Sequence, residues 1–339
     1  MAMCALNKVK GIDVYMKKTK WAFIGCGKVV LKNKTSAFIN KKNTIVGICT
    51  TNIEHSKLAK EKLNLKKCGC YESVDKMIKK ENVDSIYVCT PPKFHYEYLK
   101  AIVKYGLPVY VEKPFVLNEK EAKSIVKIYK ENNIPLIIAH YKRLIPKIKK
   151  LKSLLEKQKI GKIVSIEGFF NREFNEELLK NSWIYNKDIS GGGRFFDIAP
   201  HIFDIIYYFF GEFKNIKSEV EYETIKHNCE NKVNVNFEVK DINCKLCFDL
   251  KSNEDKDIIY FYGTNGYITT SINRELPIYI YNKKGKLKKT YKFKKIKTWG
   301  IETIKEFNKY ITKKNHSTNL CTGVQALNIQ IYINKVLKK

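Results

Sequence analysis

Trp21-Ala22-Phe23-Ile24-Gly25-Cys26-Gly27-Lys28-Val29-Val30 is the stretch whose reading decides the fold. Four apolar residues form a short strand, the glycines form a turn, and the residues beyond read as a helix running toward Ile39. Strand, glycine turn and helix in this order make a phosphate-binding corner. Gly25 allows the tight turn, and Gly27 lets backbone approach a pyrophosphate. The helix start offers unpaired N–H groups and the positive end of a dipole to the anion. Gly25, Cys26, Gly27, Lys28 and Val29 are therefore candidate cofactor contacts. Val30 stands at the third glycine position of the G-x-G-x-x-G pattern, where Gly or Ala is usual. A turn of purely structural use is the alternative.

Outward from this corner, short apolar runs alternate with helical stretches. Thr44–Cys49, Val83–Cys89, Pro108–Val111 and Ile134–Ala139 read as buried strands. Glu54–Leu63, Tyr96–Tyr105 and Glu119–Glu131 read as the helices between them. Such a pattern describes a doubly wound parallel sheet covered on both faces. After Leu144 the pattern changes. Val233, Val235, Phe237 and Val239 alternate with polar residues, and Ile242 to Leu250 keep the same period of two. This predicts antiparallel strands with one dry face and an α+β unit built on an open sheet. Gly263-Thr264-Asn265-Gly266 supplies a tight turn. The expected organisation is an extension over residues 1–18, a dinucleotide-binding domain over 19–142, and a substrate and oligomerisation domain over 143–339. The last helix is expected to pack back on the first domain.

The second strand ends in Cys49-Thr50-Thr51-Asn52, with no carboxylate to hold a ribose hydroxyl. A ribose 2′-phosphate is then not repelled, and the Thr50 and Thr51 hydroxyls can bond it. This leans toward NADP(H); NAD(H) held by neutral hydrogen bonds is the alternative. Lys113, in Glu112-Lys113-Pro114, follows an apolar strand whose carboxyl end is where open α/β sheets bind ligands. A lysine there can bond a substrate hydroxyl and ease its deprotonation. A cis peptide at Pro114 would aim it. Asp197 and His201 are four residues apart in an apolar helix and share one face, with Asp204 near it. Ionisable groups in that setting are costly without a task. A histidine can move a proton near neutral pH while an aspartate orients it or the substrate. A core histidine capped by aspartate is the alternative.

The chain has 339 residues, roughly two domains' worth. Lys plus Arg is 64 against 34 Asp plus Glu, a net charge of +30. With 44% hydrophobic residues a core is available, which excludes a disordered polycation. Lysine is spread along the chain and asparagine is frequent too, as codon bias would give. A nucleic-acid footprint should instead be clustered. No run is long and apolar enough for a membrane helix. Ten free cysteines and a poor signal peptide point to a reducing cytoplasm. Cys68-Gly69-Cys70 and Cys244-Lys245-Leu246-Cys247 are read as ordinary cysteines, not as a metal site. Residues three apart on a strand face opposite ways.

The ordered set of motifs resembles the glucose–fructose oxidoreductase/inositol dehydrogenase/MocA family of NAD(P)-dependent oxidoreductases. It runs from Trp21 nearly to the C-terminus. It includes Gly25-Cys26-Gly27, Val88-Cys89-Thr90-Pro91-Pro92 with His95, Glu112-Lys113-Pro114 and His140-Tyr141-Lys142-Arg143 with Pro146. Ile160-Gly161-Lys162, Trp183, Gly191-Gly192-Gly193 with Asp197, His201, Asp204 and Gly211, and Tyr262-Gly263-Thr264-Asn265-Gly266 complete it. The resemblance implies a Rossmann domain followed by a large, mostly antiparallel sheet that often mediates dimers or tetramers. It implies that Lys113, Asp197 and His201 are catalytic. It further implies that Thr90, Pro91, His95, Glu112 and Lys113 flank the cofactor. Arg143 and Trp183 match positions near the substrate whose roles vary. Ala199 stands where Gly is frequent.

The function expected is hydride transfer between NADP or NAD and a secondary alcohol or carbonyl of a sugar, cyclitol, diol or related polyol. A non-catalytic sensor binding NAD(P) and a sugar on the same fold is the alternative. The partners expected are a small-molecule substrate and further copies of the chain, as a homodimer or homotetramer, with no specific nucleic acid and no membrane. Substrate choice is expected to lie on irregular segments such as Asn171–Ile189.

Overall fold

The computed structural model describes residues 18–27, 31, 35–173, 183–222, 229–313 and 319–338. Lys28, Val29 and Val30 of the glycine turn lie outside the described residues. So do the expected extension up to residue 17 and residues 174–182 of the irregular segment.

β1 (Thr19–Ile24) shows why the first sheet is buried on both sides. Trp21 and Phe23 pack with Ile45, Tyr87 and Tyr110 on one face. Ala22 and Ile24 pack with Ile86, Val88 and Val111 on the other. Successive side chains point to opposite faces, so an unbroken apolar run demands cover on both. β2 (Asn43–Cys49), β3 (Gly69–Tyr71), β4 (Ser85–Val88), β5 (Val109–Val111) and β6 (Leu136–Ile138) join it in parallel, in the order β3-β2-β1-β4-β5-β6. Helices Ile53–Lys62, Val74–Lys80 and Glu119–Glu131 are capped by the side chains of Asn52, Ser73 and Asn118. This is a Rossmann sheet, and its strand order reverses direction between β1 and β4.

Two of its strands have no apolar signature. β3 is three residues long and contains Cys70. β15 (Cys321–Thr322) adds to β6 as an antiparallel edge. The helix that follows, Gly323–Leu337, touches both the Glu119–Glu131 helix and the second sheet.

The second sheet has eight strands. β7 (Ile163–Glu173) sits at its centre, between β10 (Ile242–Ser252) and β11 (Lys256–Gly263). β8 (Phe213–Tyr222) and β9 (Glu230–Val239) extend one side. β12 (Gly266–Thr270), β13 (Ile278–Asn282) and β14 (Leu287–Tyr291) extend the other. Every pairing is antiparallel except β7 with β10. Val233, Val235 and Phe237 face Phe248, Leu246 and Cys244 across the β9–β10 ladder. These residues form one core with the Pro146–Glu156, Arg194–Phe210 and Gly323–Leu337 helices. Gly263 pairs with Gly266 at the expected turn. Among the described residues no helix is long and apolar enough to cross a membrane.

The Arg194–Phe210 helix is set by the glycine triplet before it. The N–H of Gly193 donates to Glu230 Oε2 at 2.6 Å. A Cβ at Gly192 would stand 2.7 Å from Phe196 Cβ and 2.9 Å from Glu230 Oε1. Only glycine admits this carboxylate to the helix start, where a negative charge suits the dipole.

Candidate active site

A cleft of about 280 Å³ opens at the carboxyl ends of β1, β2 and β4. Gly25, Cys26, Gly27, Thr50, Thr51, Thr90 and Pro91 line it together. Gly25 has φ +84°, and a Cβ there would come within 2.8 Å of Thr90 Cγ2. Its N–H donates to the Cys49 carbonyl at 2.8 Å, while the Cys89 thiol donates to its carbonyl at 2.9 Å. The turn is thus pinned between two strand ends, leaving a backbone-walled hollow. Thr90 Oγ1 is buried there with no hydrogen-bond partner among the described residues. A bare glycine turn and an unsatisfied hydroxyl fit a nicotinamide dinucleotide lying across the switch point. His55, in the first turn of the helix after β2, and Tyr98 line the same cleft. Neither was expected; the signal was their position on helices that start at the sheet's carboxyl edge.

Thr50 lines the cleft, but its hydroxyl is already engaged. Its hydroxyl contacts the Asn52 carbonyl at 2.6 Å and Ser56 Oγ at 2.6 Å, so it is engaged within its own loop. The Ile53 N–H at the helix start donates to Glu72 at 3.0 Å.

Beyond β5 the chain reaches Lys113, whose bond to Pro114 is cis. Lys113 Nζ lies 2.5 Å from Asp197 Oδ1 and 3.1 Å from the Asp197 carbonyl. Burial works against the charge on Asp197, but Lys113, with Lys142 and Arg194 beyond, holds its pKa below the usual value. His201, one turn along, is 8% exposed. Its ring stands edge-on to Tyr141 at 5.7 Å and to His140 at 6.2 Å. Burial pushes the His140 pKa down to about 4 against the pull of Asp204, so this ring is neutral at physiological pH. The Trp299 ring also packs on Tyr141 in a T-shaped arrangement, with centroids 5.2 Å apart. His140 and Tyr141 follow β6 as Lys113 follows β5, and that same strand-end rule would have singled them out.

Three expected contacts are buried, with their polar groups engaged inside the protein. His95 is fully buried, with Nδ1 at 2.9 Å from the Phe115 carbonyl and Nε2 at 2.8 Å from the Thr90 carbonyl. Its ring ties the Thr90 loop to the Pro114 loop, so it shapes the cleft and does not face it. Glu112 is buried and accepts from the Tyr87 hydroxyl. Arg143 is 0% exposed. It makes three hydrogen bonds of 2.6–3.1 Å to Asp204 and others to the Leu320 carbonyl and Gln325. With its donors committed, it is a clamp between elements and not a substrate contact. Trp183 is 42% exposed in the single turn Trp183–Tyr185. His140, Asp204 and Cys321 bring ligand-type atoms within 4.8 Å, but the Arg143 guanidinium already occupies Asp204 and would repel a metal cation.

A Rossmann sheet with a glycine-walled cleft at its switch point, together with a half-buried lysine–aspartate pair, defines an NAD(P)-dependent oxidoreductase. Residues 19–140 match the family model described as "Oxidoreductase family, NAD-binding Rossmann fold", and residues 148–269 match the GFO/IDH/MocA C-terminal domain. The chain is 31% identical to Oxidoreductase P35 of Formosa agariphila over 261 residues, 75% of this chain and 79% of that one. The chain belongs to the Gfo/Idh/MocA oxidoreductase family. The same fold occurs in levoglucosan dehydrogenase solved with NADH and levoglucosan (TM-score 0.81, 17% identity, 95% of this chain and 97% of that one). It also occurs in a super-repressor mutant of Gal80p from Saccharomyces cerevisiae (TM-score 0.80, 17% identity, 95% of each chain).

Proposed function

We propose that this dehydrogenase moves hydride between the nicotinamide and a secondary alcohol or carbonyl of a sugar, cyclitol or related polyol, with Lys113, Asp197 and His201 as its catalytic residues. The observation that carries this reading is the Lys113–Asp197 contact of 2.5 Å, with His201 one helical turn away on the same face. The nicotinamide supplies the hydride acceptor or donor when bound. Gly25, Gly27, Thr51 and Thr90 would hold the dinucleotide in the cleft described above.

Each side chain has a task its position permits. A lysine ammonium has three donors, and Lys113 turns two of them to the Asp197 carboxylate and carbonyl. The third serves the substrate oxygen and stabilises the negative charge that grows there as its proton leaves. Asp197, kept ionised by Lys113, accepts hydrogen bonds from neighbouring hydroxyls and fixes which carbon is presented. His201 takes the hydroxyl proton during oxidation and returns it during reduction. Tyr141 and His140 hold the His201 ring edge-on.

The reading extends to the cofactor. Among the described residues lining the cleft none is acidic, and exposed His55 stands there beside Thr51. That lining supports NADP(H) over NAD(H).

His201→Ala and Lys113→Ala tested with the bound cofactor's fluorescence and with turnover separate binding from chemistry. Both variants are expected to bind cofactor as the wild type does and to lose turnover by about 100-fold or more. Turnover unchanged in both would refute the assignment.

A further inference from the structure

A second cavity, of about 330 Å³, is lined by none of the residues that carry the chemistry above. Trp299 forms part of its wall, and Trp299 is linked to His201 through Tyr141 by the ring contacts of 5.2 and 5.7 Å. Lys142, the neighbour of Tyr141, donates to the carbonyl of Ile272 at 3.4 Å and to the side chain of Asn273, both of which line the cavity. The charge of Lys142 also acts on Asp197. Tyr141 and Lys142 therefore tie the lining of the cavity to the reacting cluster.

The cavity's charge is lopsided. Lys147, Arg274, Lys292 and Lys294 line it against a single acid, Glu275. Arg274 is already paired with Asp255 at 2.5 Å. Lys147 is the unusual member. It is 6% exposed, and its ammonium donates to the Arg274 carbonyl, not to a carboxylate. It also occupies the first turn of the Pro146–Glu156 helix, whose start has no side-chain cap and no acidic residue. A buried cation at the positive end of a helix dipole opposes both desolvation and the dipole. Burial pulls the Lys147 pKa down to about 8, against the opposing pull of the Asp257 and Glu275 carboxylates. An incoming anion removes both penalties at once, because it meets the ammonium and the orphan N–H groups of the helix start together.

We infer that this cavity receives an anionic substituent of the substrate, a carboxylate or a phosphate ester, carried on an arm of the sugar whose alcohol faces His201. The inference rests on the reading of Lys113, Asp197 and His201 as the reacting end. Apolar walls such as Ile272 and Trp299 take the carbon arm, and Lys147 takes the charge.

The test is calorimetric titration of the full chain, loaded with nicotinamide cofactor, with glucose, glucuronate and glucose 6-phosphate, repeated with Lys147→Met and Lys147→Arg. A charge-assisted hydrogen bond corresponds to about tenfold in affinity. The wild type is expected to bind at least one acidic sugar about tenfold more tightly than glucose. Lys147→Met is expected to bring that ratio close to one, and Lys147→Arg to keep most of it. Whichever acid is preferred assigns the cavity to carboxylate or phosphate. Equal binding of neutral and acidic sugars, or a preference that survives in Lys147→Met, overturns the inference. Thermal unfolding of both variants shows that they are folded. Turnover run alongside separates the two readings. Oxidation of neutral sugars with no acid preference defeats the subsite alone. An acid preference lost in Lys147→Met, without turnover of any sugar, defeats the catalytic assignment alone.

Discussion

Arg143→Met tests whether the guanidinium holds the molecule together or holds substrate. Arg143 and Asp204 are 0% and 1% exposed, and three hydrogen bonds of 2.6, 2.9 and 3.1 Å join them. Asp204 lies on the Arg194–Phe210 helix, Arg143 follows β6, and the remaining donors reach Leu320 and Gln325 beside β15. Removing the guanidinium leaves the Asp204 carboxylate buried beside a neutral His140, 3.7 Å away. Breaking a buried pair on one side costs about 3–5 kcal/mol. For a chain of this size that is on the order of 5–10 °C in Tm. Replacing both partners with apolar residues removes the stranded charge, so Arg143→Met with Asp204→Leu is expected to recover more than half of the loss. Urea and thermal unfolding of the two single variants and the double variant measure this directly. A substrate contact behaves otherwise. If Arg143→Met unfolds together with the wild type and raises only KM, the clamp assignment is wrong.

Two further outcomes follow from the same structure. Burial depresses Lys142 from an ordinary 10.5 to about 7. Between those values the unfolded chain binds more protons than the folded one, so Lys142 makes stability rise with pH across that window. Lys142→Met is therefore expected to be more stable than the wild type at pH values below about 7, by up to a few kcal/mol, since each tenfold loss of proton affinity on folding costs about 1.4 kcal/mol. The advantage should fade as pH approaches 10, and urea unfolding at several pH values would show an unvarying difference if the burial penalty is absent. For the cofactor, kcat/KM is expected to be higher with NADP than with NAD. His55→Ala should narrow that ratio; a wild-type preference for NAD would reverse the cofactor reading.

How much of this was legible in the sequence depends on what makes each element form. β1, β2, β4 and β5 are apolar on both faces because helices cover both, so a run such as Trp21–Ile24 announces itself. β9 and β10 carry one dry face, and their period of two is equally plain. β3 and β15, of three and two residues, exist because an edge strand offers unpaired backbone groups, and no side-chain pattern records that. Lys113, Asp197 and His201 stood out as charges inside apolar runs, and two of them meet at 2.5 Å. Arg143 was reached only through the family resemblance, as a position near the substrate. Its partner, however, is 61 residues away, and only the folded chain tells a clamp from a substrate contact. His95 and Thr50 likewise depend on carbonyls that no motif specifies. Trp299 reaches Tyr141 from a segment with no pattern at all.

The most direct test of the central claim is nicotinamide reduction or oxidation followed by absorbance across a panel of neutral and acidic sugars, cyclitols and diols, with His201→Gln in parallel. The account expects at least one compound to drive cofactor turnover in the wild type and His201→Gln to lose it while still binding cofactor. Cofactor and sugar binding with no redox change on any compound would contradict it and leave a sensor built on the same fold.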